Sequence, residues 1–230
     1  ETYSWCNANY LWRELELRMI YTIGHSTHTI ENFISLLKMR GITAIADVRS
    51  APYSRFQPQF NREGLAKSLK DSGIEYVFVG DSIGGRSQNP DDYENNRVVY
   101  SRLKKNPHFE NGIARVIAGS KKYKLALMCS EKEPIECHRT LLVGQTLHEM
   151  GKQVIHIHGD GSLETHSEAI QRLLRIFKLD EPDLFRSDAE ILEEALLRQE
   201  QKVAFVLGDP VRGRLGFGQL GGSDDWTESV

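Results

Sequence analysis

The sequence predicts an α/β protein: a three-layer fold with a mostly parallel sheet of about five strands and helices on both faces. Three observations predict it. Short apolar strand segments alternate with amphipathic helical segments from residue 19 onward. The composition, 40% hydrophobic and 27% charged, is that of an ordinary globular chain. Reactive residue types follow strand after strand, and in parallel sheets ligands bind beyond the carboxyl ends of the strands.

The elements follow in order. Met19–Ile23 is a short apolar strand. Thr29–Met39 carries Ile30, Phe33, Ile34 and Leu37, the one-faced stripe of a helix, with Thr29 as cap and Gly41 as stop. Thr43–Val48 is a strand, Asn61–Ser72 a helix and Ile74–Val79 a strand rich in β-branched and aromatic residues. Gly80–Asn96 is polar and is expected as a long loop. Helical stretches near Val98–Lys105 and Phe109–Gly119 lead to a strand at Lys124–Met128, a helix at His138–Met150 and a strand at Gln153–Ile157. Thr165 and Ser187 each precede a Glu by three residues. These capping boxes start helices at Thr165–Phe177 and Ser187–Lys202.

Composition removes several classes of protein. Fibrous, wholly disordered and disulfide-dense chains do not look like this. No run reaches the ~18 apolar residues of a transmembrane helix, so no membrane partner is expected. Lys and Arg total 29 against 32 Asp and Glu, a net charge of −3. That balance argues against a bulk nucleic-acid coat and leaves room for a local basic pocket. Three cysteines without framework spacing point to a reduced, cytoplasmic compartment. Residues 1–18 lack signal-peptide features and are read as an extension holding at most a short helix around Tyr10–Arg18. The α/β domain is expected over 19–207. Residues 208–230, with six glycines, are read as a flexible tail.

At the predicted carboxyl edge stand Gly24-His25-Ser26-Thr27, Asp47-Val48-Arg49-Ser50, Gly84-Gly85-Arg86, Cys129-Ser130-Glu131, and His156 with His158. The segments TIGHST (22–27), DVRSAPYSRFQPQFN (47–61), Gly84-Gly85, LMCSEKEPIECHR (127–139) and VIHIHGDG (154–161) together resemble the DUF488 family of bacterial and archaeal proteins over about residues 19–200. The resemblance implies an α/β fold and a pocket built from these motifs. It implies no reaction, because the family's function is unknown.

The chemistry has to come from the residues. Cys129 ends a strand, and Cys137-His138-Arg139 opens the following helix, where N–H groups and the helix dipole would lower a thiol pKa and favour an anion. Arg139 would then serve as an anion clamp. The order is similar to that of thiol phosphatases and rhodanese-type sulfurtransferases. However, nine residues separate Cys129 from Arg139, and Glu131, Glu133 and Glu136 among them would repel an oxyanion. Cys129 is equally readable as a small buried hydrophobe. A metal set of Cys129, Cys137 and His138 with His25 or His156 is chemically possible, but Cys-x7-Cys is no standard zinc spacing, so no metal ligand and no cofactor are assigned. Asp47 and Arg49 are either a structural ion pair or, with Glu131, acid/base and anion-holding groups. Tyr53 and Phe56 are placed to stack a base beside Arg49, Arg55 and Arg86.

These readings converge on one expectation: an enzyme acting on a nucleotide, a modified base or nucleic acid. Its candidate catalytic residues are His25, Asp47, Cys129, Glu131, Cys137 and His138. Its candidate substrate-binding residues are Ser26, Arg49, Tyr53, Arg55, Arg86 and Arg139. His25, Asp47, Arg49, Cys129, Glu131, Cys137, His138 and Arg139 are expected to line a single pocket. The alternatives are a non-catalytic nucleotide- or nucleic-acid-binding module and a cysteine-dependent enzyme that uses a thiol or a metal. The partner in each case is an anionic small molecule or a nucleic-acid segment.

Overall fold

In the computed structural model, residues 19–181 and 183–208 are described. The expected extension at 1–18, and all but the first residue of the expected tail, lie outside them.

The central sheet has six strands, in the order β3-β2-β6-β1-β7-β8. These are β1 (Met19–Gly24), β2 (Ala44–Asp47), β3 (Glu75–Phe78), β6 (Leu125–Cys129), β7 (Gln153–Ile157) and β8 (Leu163–Thr165). All pairings are parallel except that of β8, which runs antiparallel to β7 at the edge. This is one strand more than expected. β8 has three residues and partners one neighbour only, so it leaves almost no alternation to read. A second sheet is a two-stranded hairpin of β4 (Tyr93–Glu94) and β5 (Arg97–Val98). It lies inside and just beyond the segment expected as loop, which also holds a short helix α3 (Gly80–Ile83).

Helices cover both faces, as the fold class requires. The pleat sorts the apolar side chains into two cores. Ile45, Ala126 and Met128 meet α1 (Ile30–Met39) and α2 (Arg62–Asp71) through Phe33, Leu37, Leu65 and Leu69. Ala44, Ala46, Leu125, Leu127 and Cys129 point the other way. There they meet α5 (Pro107–Lys122), the turns after Cys137, α7 (His166–Phe177) and α8 (Asp188–Val203). α4 (Tyr100–Leu103) packs into this second core through Tyr100 and Leu103. The caps are where the sequence places them: Thr29 accepts from the Asn32 N–H, and Thr165 and Ser187 form complete capping boxes.

The segment after Cys137 departs from expectation. Instead of one α-helix, Arg139–Gly144 forms a π-helical turn that leads into the five-residue α6 (Gln145–Glu149). The Thr140 and Leu141 N–H groups both donate to the Cys137 carbonyl. They are therefore consumed within the chain and form no anion cradle. The Arg139 guanidinium is fully buried and donates to the Glu131 and Lys132 carbonyls. It is a strut for the 130–138 loop rather than an anion clamp.

Candidate functional site

The pleat also decides which edge residues can meet. Asp47 lies in register with Met128, on the α1/α2 face, whereas Cys129 points to the opposite face. The single eight-residue pocket expected from the sequence therefore divides.

At the end of β2, Asp47 is completely buried. Its Oδ1 accepts from the Arg49 N–H (3.1 Å) and Nε (2.9 Å), and its Oδ2 from Arg49 Nη2 (2.6 Å) and the Tyr76 hydroxyl (2.8 Å). Arg49 Nη2 also donates to the Phe60 carbonyl at 2.9 Å. Arg49 Nη1 sits 3.2 Å from His25 Nε2. Arginine has only donors, so that nitrogen accepts, and His25 Nδ1–H donates to the Ser26 carbonyl at 3.0 Å. His25 stacks on Phe60, with ring centres 4.2 Å apart. Burial and the adjacent Arg49 charge lower its pKa to about 4. Every polar atom of the Asp47 carboxylate is occupied inside the fold, so this network ties β1, β2, β3 and the 57–61 turn together. Neither Asp47 nor His25 lines the main cleft.

At the end of β6 the arrangement is open. A cleft of about 1230 Å³ lies against Cys129, Glu131, Cys137 and His138. The thiols of Cys129 and Cys137 donate to one carboxylate oxygen, Glu131 Oε2, at 2.8 and 2.9 Å. His138 Nδ1 stands 3.7 and 3.8 Å from the two sulfurs. Its Nε2 lies 2.9 Å from the Val48 carbonyl. A carbonyl only accepts, so Nε2 carries the proton and Nδ1 turns toward the thiols. The four donor atoms lie within 4.8 Å of one another. Both cysteines are buried free thiols, while Glu131 is exposed as a residue with Oε2 turned inward.

The electrostatics of this cluster are strongly perturbed. Burial pushes the Cys129 thiol well up. Burial acts on Cys137 in the same sense, but the Cys129 hydrogen bond and the neighbouring positive charges outweigh it and lower it. Burial likewise raises Glu131, yet the imidazole and the two thiol donors hold it down to about 2.

Other sequence candidates fall around the cleft. Arg49, Arg55 and Arg86 line it, as do Phe56 and Glu136. Phe56 is 85% exposed at the rim. Tyr53 does not line it: its hydroxyl donates to Glu63 of α2. Ser26, with φ of 47°, belongs to a separate groove beside Lys132, Glu133 and His158. The His156 and His158 rings do not pair. His156 is buried against Thr22 and His166, and His158 faces Glu164 at 3.0 Å. The Gly84-Gly85 pair has a spatial reason, because a Cβ on Gly85 would come within 2.9 Å of the His138 ring. On Gly24, a Cβ would collide with the Glu131 carbonyl.

The sequence reading missed the far wall. Gln199, Lys202, Val203 and Phe205 close the cleft from the end of α8 and the residues after it. Arg86 packs over the Phe205 ring at 4.4 Å, and Gln199 donates to the Ile135 carbonyl at 3.0 Å. No local pattern in α8 announces this, since the contacts span more than sixty residues. Tyr76 was legible in principle, because it shares a strand face with Ile45 and Asp47.

Fold and site together define an α/β protein with a thiol-, carboxylate- and imidazole-bearing cleft at the carboxyl edge of its parallel sheet. The chain belongs to the DUF488 family, a domain of unknown function whose family model matches residues 29–145. That span ends at α6 and contains all four residues of the cluster. No curated protein and no solved structure matches the chain. Among the described residues, no helix is long and apolar enough to cross a membrane.

Proposed function

We propose that the protein is an enzyme that holds an anionic substrate, a nucleotide or a nucleic-acid segment, in this cleft. The chemistry takes place at Cys129, Glu131, Cys137 and His138. One observation carries the reading: two thiols, a carboxylate and an imidazole converge on the floor of a cleft whose walls carry Arg55, Arg86 and Lys202. A pocket that only binds anions uses the basic residues and has no use for the cluster. The exposed ring of Phe56 supplies a stacking platform for a base, while the arginines take phosphate. Glu131, with Oε2 inside the cluster and its residue open to solvent, is the group placed to move a proton. The Asp47–Arg49 network has no part in the reaction, because its acceptors are already filled.

The test is to incubate the full chain with nucleoside mono-, di- and triphosphates and short single strands of DNA and RNA. Conversion is followed by mass spectrometry and binding by calorimetry. Glu131→Gln is expected to cut turnover by about 10²–10⁴-fold, the range of general acid–base catalysis, with affinity nearly unchanged. Arg86→Ala is expected to weaken binding. Tight binding with no conversion of any substrate would support the non-catalytic binding module instead.

A further inference from the structure

We infer that Cys129, Glu131, Cys137 and His138 form a binding site for one borderline-soft divalent cation of the zinc class, set in the floor of the cleft. The inference deepens the reading above and rests on it only for the role of the cleft; the coordination argument stands on the cluster itself.

Zinc takes thiolate, imidazole and carboxylate ligands in tetrahedral array. With Zn–S near 2.3 Å and Zn–N near 2.0–2.1 Å, the tetrahedral edge between sulfur and nitrogen is about 3.6 Å. His138 Nδ1 stands 3.7 and 3.8 Å from the two sulfurs, close to that edge. The carboxylate oxygen lies nearer, at 2.8 and 2.9 Å, as a hydrogen-bond acceptor of both thiols. It must withdraw by less than 1 Å to take a ligand's place. Its side of the cluster is the exposed one, so room for that movement is available.

The surroundings have the form that supports a metal. A ligating histidine ordinarily donates its other ring N–H to a carbonyl or carboxylate, which fixes the tautomer and aims the bare nitrogen. His138 does this through Nε2 to Val48. The Arg139 backbone N–H donates to Cys137 Sγ at 3.4 Å, and the Arg139 side chain pins the Glu131 carbonyl. The Arg139 side chain thus braces the loop through its backbone, while its N–H supports the Cys137 sulfur itself. Linear spacing concealed the set: Cys-x7-Cys is not a zinc pattern, but the 3₁₀ turn at Pro134–Glu136 returns the chain so that Cys137 faces the end of β6. His25 and His156, the candidates considered for a fourth ligand, lie in other networks, and Glu131 takes that place. Coordination would release the two thiol protons to solvent and fill all four tetrahedral positions, with Glu131 serving as ligand rather than proton carrier while the ion is bound; the ion would polarise a substrate oxygen only where Glu131, on the exposed side, gives up its place.

The test uses the reduced full chain titrated with Co²⁺ alone, which reports thiolate ligation by sulfur-to-metal charge-transfer bands and tetrahedral geometry by intense visible bands. One equivalent per chain is expected, displaced by Zn²⁺. Cys129→Ser and Cys137→Ser are each expected to abolish the charge-transfer bands or nearly so. His138→Gln is expected to weaken uptake by no less than the 10–100-fold that loss of an outer-shell partner costs. If a cysteine variant does not fold, thiol reactivity in the unaltered chain decides: Zn²⁺ should protect both thiols, and a chelator should restore them. Absence of the bands overturns the proposal, as do bands that survive in both cysteine variants, thiols that Zn²⁺ does not protect, or a disulfide forming in place of metal uptake. No substrate enters this measurement. Failed cobalt uptake with nucleotide conversion intact would remove the metal and leave the enzyme, and uptake without conversion would do the reverse.

Discussion

The ends of β2 and β6 look alike in sequence and differ completely in structure. Each offers a titratable pair two residues apart at the carboxyl edge of the same sheet: Asp47 with Arg49, and Cys129 with Glu131. The first pair is closed. Asp47 is buried, and both its oxygens are saturated by Arg49 and Tyr76. The second faces a cleft, and its carboxylate oxygen Oε2 accepts from two thiols that other partners can replace. Position at a sheet edge therefore does not assign a role. The face on which the pleat puts a side chain, and whether its partners are already fixed, does.

The largest expected effect tests the closed side. Arg49→Ala would leave a buried carboxylate without its counter-charge, and removing one partner of such a pair costs about 3–5 kcal/mol. Chemical denaturation should read that loss as a lower midpoint at unchanged slope. A loss below about 1 kcal/mol would mean the network is not holding the strand ends together.

A smaller effect probes a third buried network, with its own set of hydrogen bonds. The chain runs from Thr22 through His156 and His166 to Gln145. Its direction follows from donor logic. The Gln145 carbonyl oxygen accepts from His166 Nε2 (2.9 Å), so His166 Nδ1 accepts from His156 Nε2 (3.3 Å), and His156 Nδ1 accepts from Thr22 (2.8 Å). This order holds with both rings neutral, the form that burial favours. Burial, with the nearby His148 and Lys104, lowers His166 from 6.5 to about 4. Burial, with His166, Arg139, His158 and Arg172, lowers His156 as well. The unfolded chain binds these protons first, so stability is full above pH 6.5 and falls as pH drops toward 4. His166 alone accounts for about 3 kcal/mol over that interval. Thermal melts between pH 7 and 4 should show the decline, and His166→Gln should make it shallower, leaving the share of His156 and of His25, which burial also lowers to about 4. An equally steep decline in that variant would place the acid sensitivity elsewhere.

Much of the frame was legible in the sequence. Alternating periodicity places five of the six strands of the central sheet, and short polar residues mark the helix starts at Thr29, Thr165 and Ser187. β8 was illegible because three residues at an edge carry no pattern. The π-helical turn at Arg139–Gly144 was illegible because its residues would suit an α-helix equally well. The site was half legible. Cys129, Glu131, Cys137 and His138 stand out by residue type and place, and they do converge. Asp47 also stands out, but edge position alone cannot separate it from them; counting pleat parity from Ala44 and Leu125 would have. Lys202 and Phe205 reach the cleft only through the docking of α8, a tertiary fact with no local signature.

The division of labour between the two strand ends is tested most directly by urea unfolding of Asp47→Asn and Glu131→Gln beside the unaltered chain, in one series. Asp47→Asn should lose about 3–5 kcal/mol, because it leaves Arg49 buried without a counter-charge. Glu131→Gln should lose clearly less than Asp47→Asn, since its residue is open to solvent and only Oε2 is turned onto the thiols. The opposite pattern, Asp47→Asn near neutral and Glu131→Gln strongly destabilised, would contradict the account.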